Sequence, residues 1–188
     1  ILTVNKIGNF YSKDELKEKL KELLPDLKPY KQTINKSLKN FSNIYISDDH
    51  VGMVLKNSPS GSSWEESDYR KRLLKTLDYL EPVRAINLFS CGDQLNGWNE
   101  QTTRGGHIVS SLSNKEQFDI YVNSRKEYYD NLFTSGLANI YNIIEVNCSN
   151  HSGLGFSYMA NELLKLYVET KFPYVNFINS NEFITHFE

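Results

Sequence analysis

Short apolar runs alternate with longer amphipathic segments from residue 42 onward, and this alternation constrains the fold more than any other feature. The apolar runs predict strands over 43–47, 83–90, 140–146 and 174–178. The amphipathic segments predict helices from a capping box at Ser63-Trp64-Glu65-Glu66 to about Leu80, over 115–133 and over 158–170. Such alternation is typical of α/β proteins with a parallel or mixed sheet.

The first 41 residues are rich in Lys and Leu and predict a short helical lead-in to a domain over 42–188. Ser12-Lys13-Asp14-Glu15 fits a capping box. A second, weaker helix is predicted over 30–39. Packing is the expected role of these helices, and a helix-turn-helix DNA-binding role is the alternative.

Composition restricts the class of protein. The chain has 188 residues, of which 39% are hydrophobic and 23% charged, as in a globular domain. The net charge of -2 gives no global electrostatic reason for binding nucleic acid or a membrane. Two cysteines are too few for a disulfide framework, so we expect a cytoplasmic protein. No apolar run approaches the roughly 20 residues of a membrane span.

Three polar turns follow three of the predicted strands. They contain Asp48 with His50, Asp93 with Asn96, and Asn150 with His151. The carboxyl ends of parallel strands meet at one edge of a sheet, where ligands bind in open α/β folds. We therefore expect these side chains to converge, although each turn alone is more commonly a plain polar loop.

The convergent residue types suit a metal centre for phosphate chemistry. Imidazole nitrogen and carboxylate oxygen are ligands for Mn, Fe or Zn. Two such ions can stabilise both the attacking and the leaving oxygen of a phosphate ester, and a nearby histidine can protonate the leaving oxygen.

The motifs D-x-H-x-G, G-D-x-x-N-G and x-N-H, at residues 48–52, 92–97 and 149–151, resemble those of the calcineurin-like metallophosphoesterase superfamily. The second motif is similar to that of phage-encoded, DNA-repair-exonuclease-like members. The resemblance covers about residues 43–178 and implies a sheet sandwich flanked by helices. It also implies two divalent metal ions, with manganese foremost and Fe, Zn or Mg as alternatives.

The resemblance assigns roles to individual residues. Asp48 and His50 would bind the first ion, Asp93 would bridge both ions, and Asn150 would bind the second ion and the phosphate. His151 would be the general acid or would orient the scissile phosphate. Asp49 falls at a variable position of the first motif, where it would be solvated or would support its neighbours.

Two departures from the family pattern matter. Ser149 and Ser152 stand where the family has a glycine and an acidic residue. The later histidine ligands are also missing: His186 is one candidate, but it lies in an apolar run typical of a strand. We therefore expect a domain that is incomplete at its C-terminus.

The expected function is hydrolysis of phosphodiester bonds by a metal-dependent nuclease acting on DNA, in the cytoplasm, for example of a phage-infected host. Asn96, Arg104 and His107, in or beside a long loop, are the candidate substrate contacts. A phosphatase acting on nucleotides or proteins is one alternative. The other is an inactive phosphoesterase-like module that binds a protein partner in a larger assembly. No membrane partner is expected.

Overall fold

The computed structural model describes residues 27–53, 65–98 and 112–180, which form an α/β fold. The strands are β1 (Phe41–Ile46), β2 (Val83–Ser90), β3 (Ala138–Val146) and β4 (Val175–Ser180). The helices are α1 (Glu66–Lys75), extended by a 3₁₀ turn (Thr76–Tyr79), α2 (Asn114–Thr134) and α3 (Leu154–Lys171). Every strand and helix predicted from residue 42 onward is therefore confirmed. None of these helices is long and apolar enough to cross a membrane.

The four strands form one parallel sheet in the order β1-β2-β3-β4. One row across it joins Ile44 to Leu88, Leu88 to Ile143 and Ile143 to Phe177. Crossovers between sequential parallel strands are right-handed, so the connecting helices lie on the same face of the sheet. The side chains of the row Ile44, Leu88, Ile143 and Phe177 pack into the core with these helices. The strands of the described ranges all belong to this sheet, so the second sheet of a sandwich stays a prediction.

Helix α2 shows how local sequence fixes these elements. Ser113 and Glu116 form a capping box, in which the Glu116 carboxylate accepts a 2.8 Å hydrogen bond from the Ser113 backbone N–H. Side chains at helical spacing then point into the core, among them Tyr121, Tyr128 and Leu132, each 0% exposed. Burial of this stripe holds α2 against the sheet.

The sheet face opposite the helices carries a row of asparagines. Asn43, Asn87, Asn142 and Asn176 occupy one register position on all four strands. Their side-chain amides donate from strand to strand over 2.9, 2.8 and 3.4 Å. These bonds connect neighbouring strands in addition to the backbone ladder.

Two local predictions are wrong. Residues 30–39 contain no helix, because this segment makes its hydrogen bonds to the sheet instead: Gln32 donates to the carbonyls of Ala138 and Asn139 at 3.0 and 3.1 Å. Helix α1 begins later than Ser63, because Glu65 and Asp68 form the capping box. The helix predicted after Ser12 lies outside the described residues.

Candidate metal centre

Three loops leave the carboxyl ends of β1, β2 and β3 and are joined by backbone hydrogen bonds. We call them loop 1 (47–53), loop 2 (91–97) and loop 3 (147–153). The His50 N–H donates to the Asp93 carbonyl at 2.9 Å, and the Asn96 N–H donates to the Val51 carbonyl at 3.0 Å. The Asp93 N–H donates to the Cys148 carbonyl at 3.1 Å, which ties loop 2 to loop 3. The three loops therefore form one connected surface.

Gly92 allows the closest of these approaches. Its φ is +98°, and a Cβ at this position would lie 2.1 Å from the Cys148 carbonyl oxygen. Only glycine fits both the left-handed backbone and this separation. The glycine of the G-D motif thus sets the distance between loop 2, which carries Asp93, and loop 3.

A buried glutamine of α2 fixes loop 2 from beneath. The Gln117 side-chain carbonyl accepts hydrogen bonds from the backbone N–H groups of Asn96 and Gly97, both at 3.2 Å. Its amide donates to the Leu112 carbonyl at 3.0 Å. A Cβ on Gly52 would lie 2.5 Å from Gln117 Cγ, so loop 1 also packs directly on this side chain.

Asp48, His50 and Asp93 converge where loops 1 and 2 meet. One ligand atom from each lies within 4.8 Å of the other two. Asp48 Oδ1 is 3.7 Å from His50 Nε2. All three residues have positive φ, at 56°, 42° and 50°, an uncommon backbone conformation that is often found at functional sites. The three predicted ligands are therefore brought together as expected.

The His50 ring presents its Nε2 atom to the cluster, 3.7 Å from Asp48 Oδ1. Its other nitrogen, Nδ1, is buried and has no hydrogen-bond partner among the described residues. A cation at Nε2 would not satisfy Nδ1, so the fit of a cation depends on the donor set. Two carboxylates and an imidazole are a donor set for Mn, Fe or Zn.

His151 and Asn150 lie beside this cluster. The His151 ring meets the His50 ring edge-on, with 4.3 Å between the centroids. His151 Nδ1 is 3.2 Å from the Asn96 carbonyl oxygen, which can only accept, so this contact favours the tautomer with the proton on Nδ1. The Asn150 backbone N–H donates to Asp93 Oδ1 at 3.1 Å.

The two serines that depart from the family pattern shape loop 3. Ser149 Oγ accepts from the backbone N–H groups of His151 and Ser152 at 3.2 and 3.1 Å. The Ser152 hydroxyl is buried between those of Ser149 and Ser157, at 3.2 and 3.1 Å. The His151 ring has the Asn96 carbonyl as a polar contact, and the Ser152 hydroxyl makes its hydrogen bonds to other serines.

Of the three predicted substrate contacts, the described residues include one, Asn96. Asn96 is buried, and its backbone carbonyl faces His151, whereas Arg104 and His107 lie outside the described residues. A cleft of about 300 Å³ opens beside Asp48 and is lined also by Tyr45, Tyr69 and other residues of loop 1 and α1. Of the ligand cluster, Asp48 lines this cleft, whereas His50 and Asp93 do not.

Asp49 is not solvated. Only 8% of it is exposed, and its carboxylate pairs with the fully buried Arg125 at 2.5 Å. Burial, and next the Asp49 charge, raise the pKa of Tyr69 well above its usual value, so this phenol stays protonated and donates to Asp49 Oδ2 at 3.3 Å. The sequence did not predict that Arg125 would pair with Asp49, or that Gln117 would bind the backbone of loop 2.

The chain matches no protein-family model, no curated protein and no solved structure.

Proposed function

We propose that this chain is a metal-dependent phosphoesterase that hydrolyses phosphodiester bonds, with DNA as its substrate. One observation carries the proposal: Asp48, His50 and Asp93 offer ligand atoms within 4.8 Å of one another, at the carboxyl edge of a parallel sheet. His50 and Asp93 are half-buried, and Asp48 is exposed.

Asp48, His50 and Asp93 would hold the first divalent cation, with manganese expected and iron, zinc or magnesium as alternatives. When bound, the metal supplies Lewis-acid stabilisation of charge on a phosphoryl oxygen and a water molecule of lowered pKa. Within the described ranges, a second ion would depend on Asp93, shared between the two ions, and on Asn150. The cluster of Asp48, His50 and Asp93 supports one ion, and the second ion is proposed from the motif resemblance.

His151 would move a proton at its Nε2 atom. With the Nδ1 proton directed at the Asn96 carbonyl, Nε2 is the atom free to exchange protons with the substrate. A protonated Nε2 can donate to the leaving oxygen of a phosphodiester. The contact with the His50 ring places this imidazole beside the ligand cluster.

DNA as the substrate is supported by the motif resemblance and not by charge, since the net charge is -2. The sandwich architecture belongs to the same proposal. A nucleotide or protein phosphatase would use the same ligand cluster, and a panel of substrates separates these activities.

The test is manganese-dependent hydrolysis of bis(p-nitrophenyl) phosphate, single-stranded DNA and a nucleoside monophosphate. Asp93→Asn keeps the size of the side chain but removes its charge. Asp78→Asn, at an exposed position of the 3₁₀ turn, is the matched control. We expect DNA hydrolysis that is lost in Asp93→Asn and unchanged in Asp78→Asn.

Each other result has a clear meaning. Hydrolysis of the monophosphate alone would favour the phosphatase. Manganese binding without hydrolysis of any substrate would favour the inactive binding module. Hydrolysis that is equal in all three proteins would come from a contaminant and would contradict the proposal.

A further inference from the structure

A buried ion pair lies directly beneath the candidate metal centre. Arg125, in the middle of α2, is 0% exposed, and its Nη2 atom lies 2.5 Å from Asp49 Oδ2 and 3.3 Å from the Ser90 hydroxyl. The Tyr69 hydroxyl donates to the same Asp49 oxygen at 3.3 Å. Helices α1 and α2 thus both contact Asp49, the residue between Asp48 and His50, and the end of β2 contacts Arg125.

We propose that Arg125 and Asp49 are positioning residues, which fix loop 1 so that Asp48 and His50 hold a divalent cation. The inference rests on the proposed function only in its first step, cation binding by this cluster. It does not depend on hydrolysis or on the nature of the substrate.

The backbone of loop 1 shows why such a fixed point is needed. Asp48 and His50, on either side of Asp49, have φ values of 56° and 42°. Residues with a Cβ occupy this region only when surrounding contacts hold them there. The Asp49 side chain provides such a contact, because it ties the centre of the turn to α2. Without it, loop 1 can relax, and the Asp48 and His50 ligand atoms can separate.

The ion pair is poorly explained by stability alone. Nε and Nη1 of Arg125 carry three of the five N–H groups of a guanidinium, and neither atom has a hydrogen-bond partner among the described residues. The guanidinium carbon lies 5.5 Å from the centroid of the Tyr121 ring, which offers only a weaker contact. Apolar side chains of similar volume often replace such a pair without loss of stability. A role in orienting ligands accounts for a charge at this position.

A second buried carboxylate nearby determines how the pair can be tested. Glu145 is 0% exposed, accepts hydrogen bonds from Tyr121 and Tyr129, and acts electrostatically on Arg125. Removing Arg125 alone would leave the Asp49 and Glu145 carboxylates buried without their cation, which could unfold the chain. Asp49→Asn combined with Arg125→Met removes one positive and one negative charge and leaves Glu145 with its tyrosines.

The experiment measures manganese affinity by calorimetry and stability by urea unfolding in EDTA. We expect the double variant to stay folded, because only one buried carboxylate then lacks its cation, but to bind Mn²⁺ about 10- to 100-fold more weakly, the usual loss when an outer partner of a metal ligand is removed. Its electron paramagnetic resonance spectrum with Mn²⁺ should also differ from that of the wild type, because the ligand geometry changes.

Lys171→Met is the matched control. Lys171 pairs with Asp130 at 2.9 Å and so also joins two helices, α3 and α2. Loop 3 precedes the first residue of α3, whereas Lys171 is its last residue, at the opposite end of the helix. This variant should keep wild-type affinity. Arg125→Lys retains a positive charge but cannot make the planar contacts to Asp49 and Ser90, so it should also weaken binding and serves if the double variant does not fold.

Equal Mn²⁺ affinity in the wild type and in a folded Asp49–Arg125 variant would overturn the inference while leaving the metal centre intact. Absence of Mn²⁺ binding by the wild type would overturn both. Weakened binding with no hydrolysis of any substrate would support this inference and contradict the phosphoesterase proposal, so the two failures are distinguishable.

Discussion

Replacing Gly92 with alanine tests whether the separation of loops 2 and 3 shapes the candidate metal centre. The added Cβ would lie 2.1 Å from the Cys148 carbonyl oxygen, on a backbone with φ of +98°. The left-handed backbone costs about 1–2 kcal/mol for a residue with a Cβ. The overlap with backbone atoms adds about 1–3 kcal/mol, as in other overpacked sites. The total is about 2–5 kcal/mol, or about 4–20 °C in Tm for a domain of this size.

Gly136→Ala isolates the overlap. Gly136 also has a positive φ, +73°, but a Cβ there would meet no atom within 4 Å. This variant should cost only the backbone term, about 1–2 kcal/mol. The assay is urea unfolding of both variants in EDTA, followed by Mn²⁺ titration. Gly92→Ala should be the less stable by about 1–3 kcal/mol and should lose Mn²⁺ affinity, because Asp93 moves with loop 2. Equal stability of the two variants would refute the reasoning.

Three further predictions concern other parts of the molecule. His151→Ala should lower the rate of phosphodiester hydrolysis about 100- to 10,000-fold in initial-rate assays but retain Mn²⁺ binding, and an unchanged rate would remove His151 from the chemistry. Burial, and next the hydrogen bond to Asp130, raise the pKa of Tyr167 to about 12. The phenol of the unfolded chain ionises at about pH 10. The contribution of Tyr167 to the free energy of unfolding should therefore be complete below that pH and should fall as the pH rises toward 12. In urea unfolding over this range, Tyr167→Phe should therefore show a smaller decline than the wild type. Asn87→Ala removes two side-chain hydrogen bonds of the asparagine row and should lower the free energy of unfolding by about 0.5–2 kcal/mol. Asn176 lies at the end of the row and makes one hydrogen bond of 3.4 Å, so Asn176→Ala should lower the free energy of unfolding by less than half as much.

The strands were predictable because their residues satisfy local and global demands together. Val83–Ser90 has the predicted bounds, since its apolar run is bounded by the Glu81-Pro82 break and the Cys91-Gly92 turn. The segment over 30–39 was mispredicted, because contacts such as Gln32 with the end of β3 override a weak helical pattern. Helix α3 starts before the predicted Tyr158 because Gly153, its N-cap, offers no side-chain signal.

The convergence of the site was predictable because parallel strands bring their carboxyl ends to one edge. Asp48, His50 and Asp93 follow directly from that rule. The buried partner of loop 1 was not predictable, because it is distant in the chain: Arg125 is 76 residues from Asp49. One signal did exist, since Arg125 lies at helical spacing between Tyr121 and Tyr128, on the buried face of α2. A charged residue on a core stripe indicates a buried partner.

Calorimetric titration of Mn²⁺ into the wild-type protein, Asp48→Asn, Asp93→Asn and Asp78→Asn tests the central claim most directly. We predict saturable binding by the wild type and by Asp78→Asn. The two ligand variants should bind at least about tenfold more weakly, since removing even an outer partner of a ligand has that effect. No saturable binding by the wild type, or equal binding by all four proteins, would contradict the assignment of Asp48, His50 and Asp93 as a metal centre.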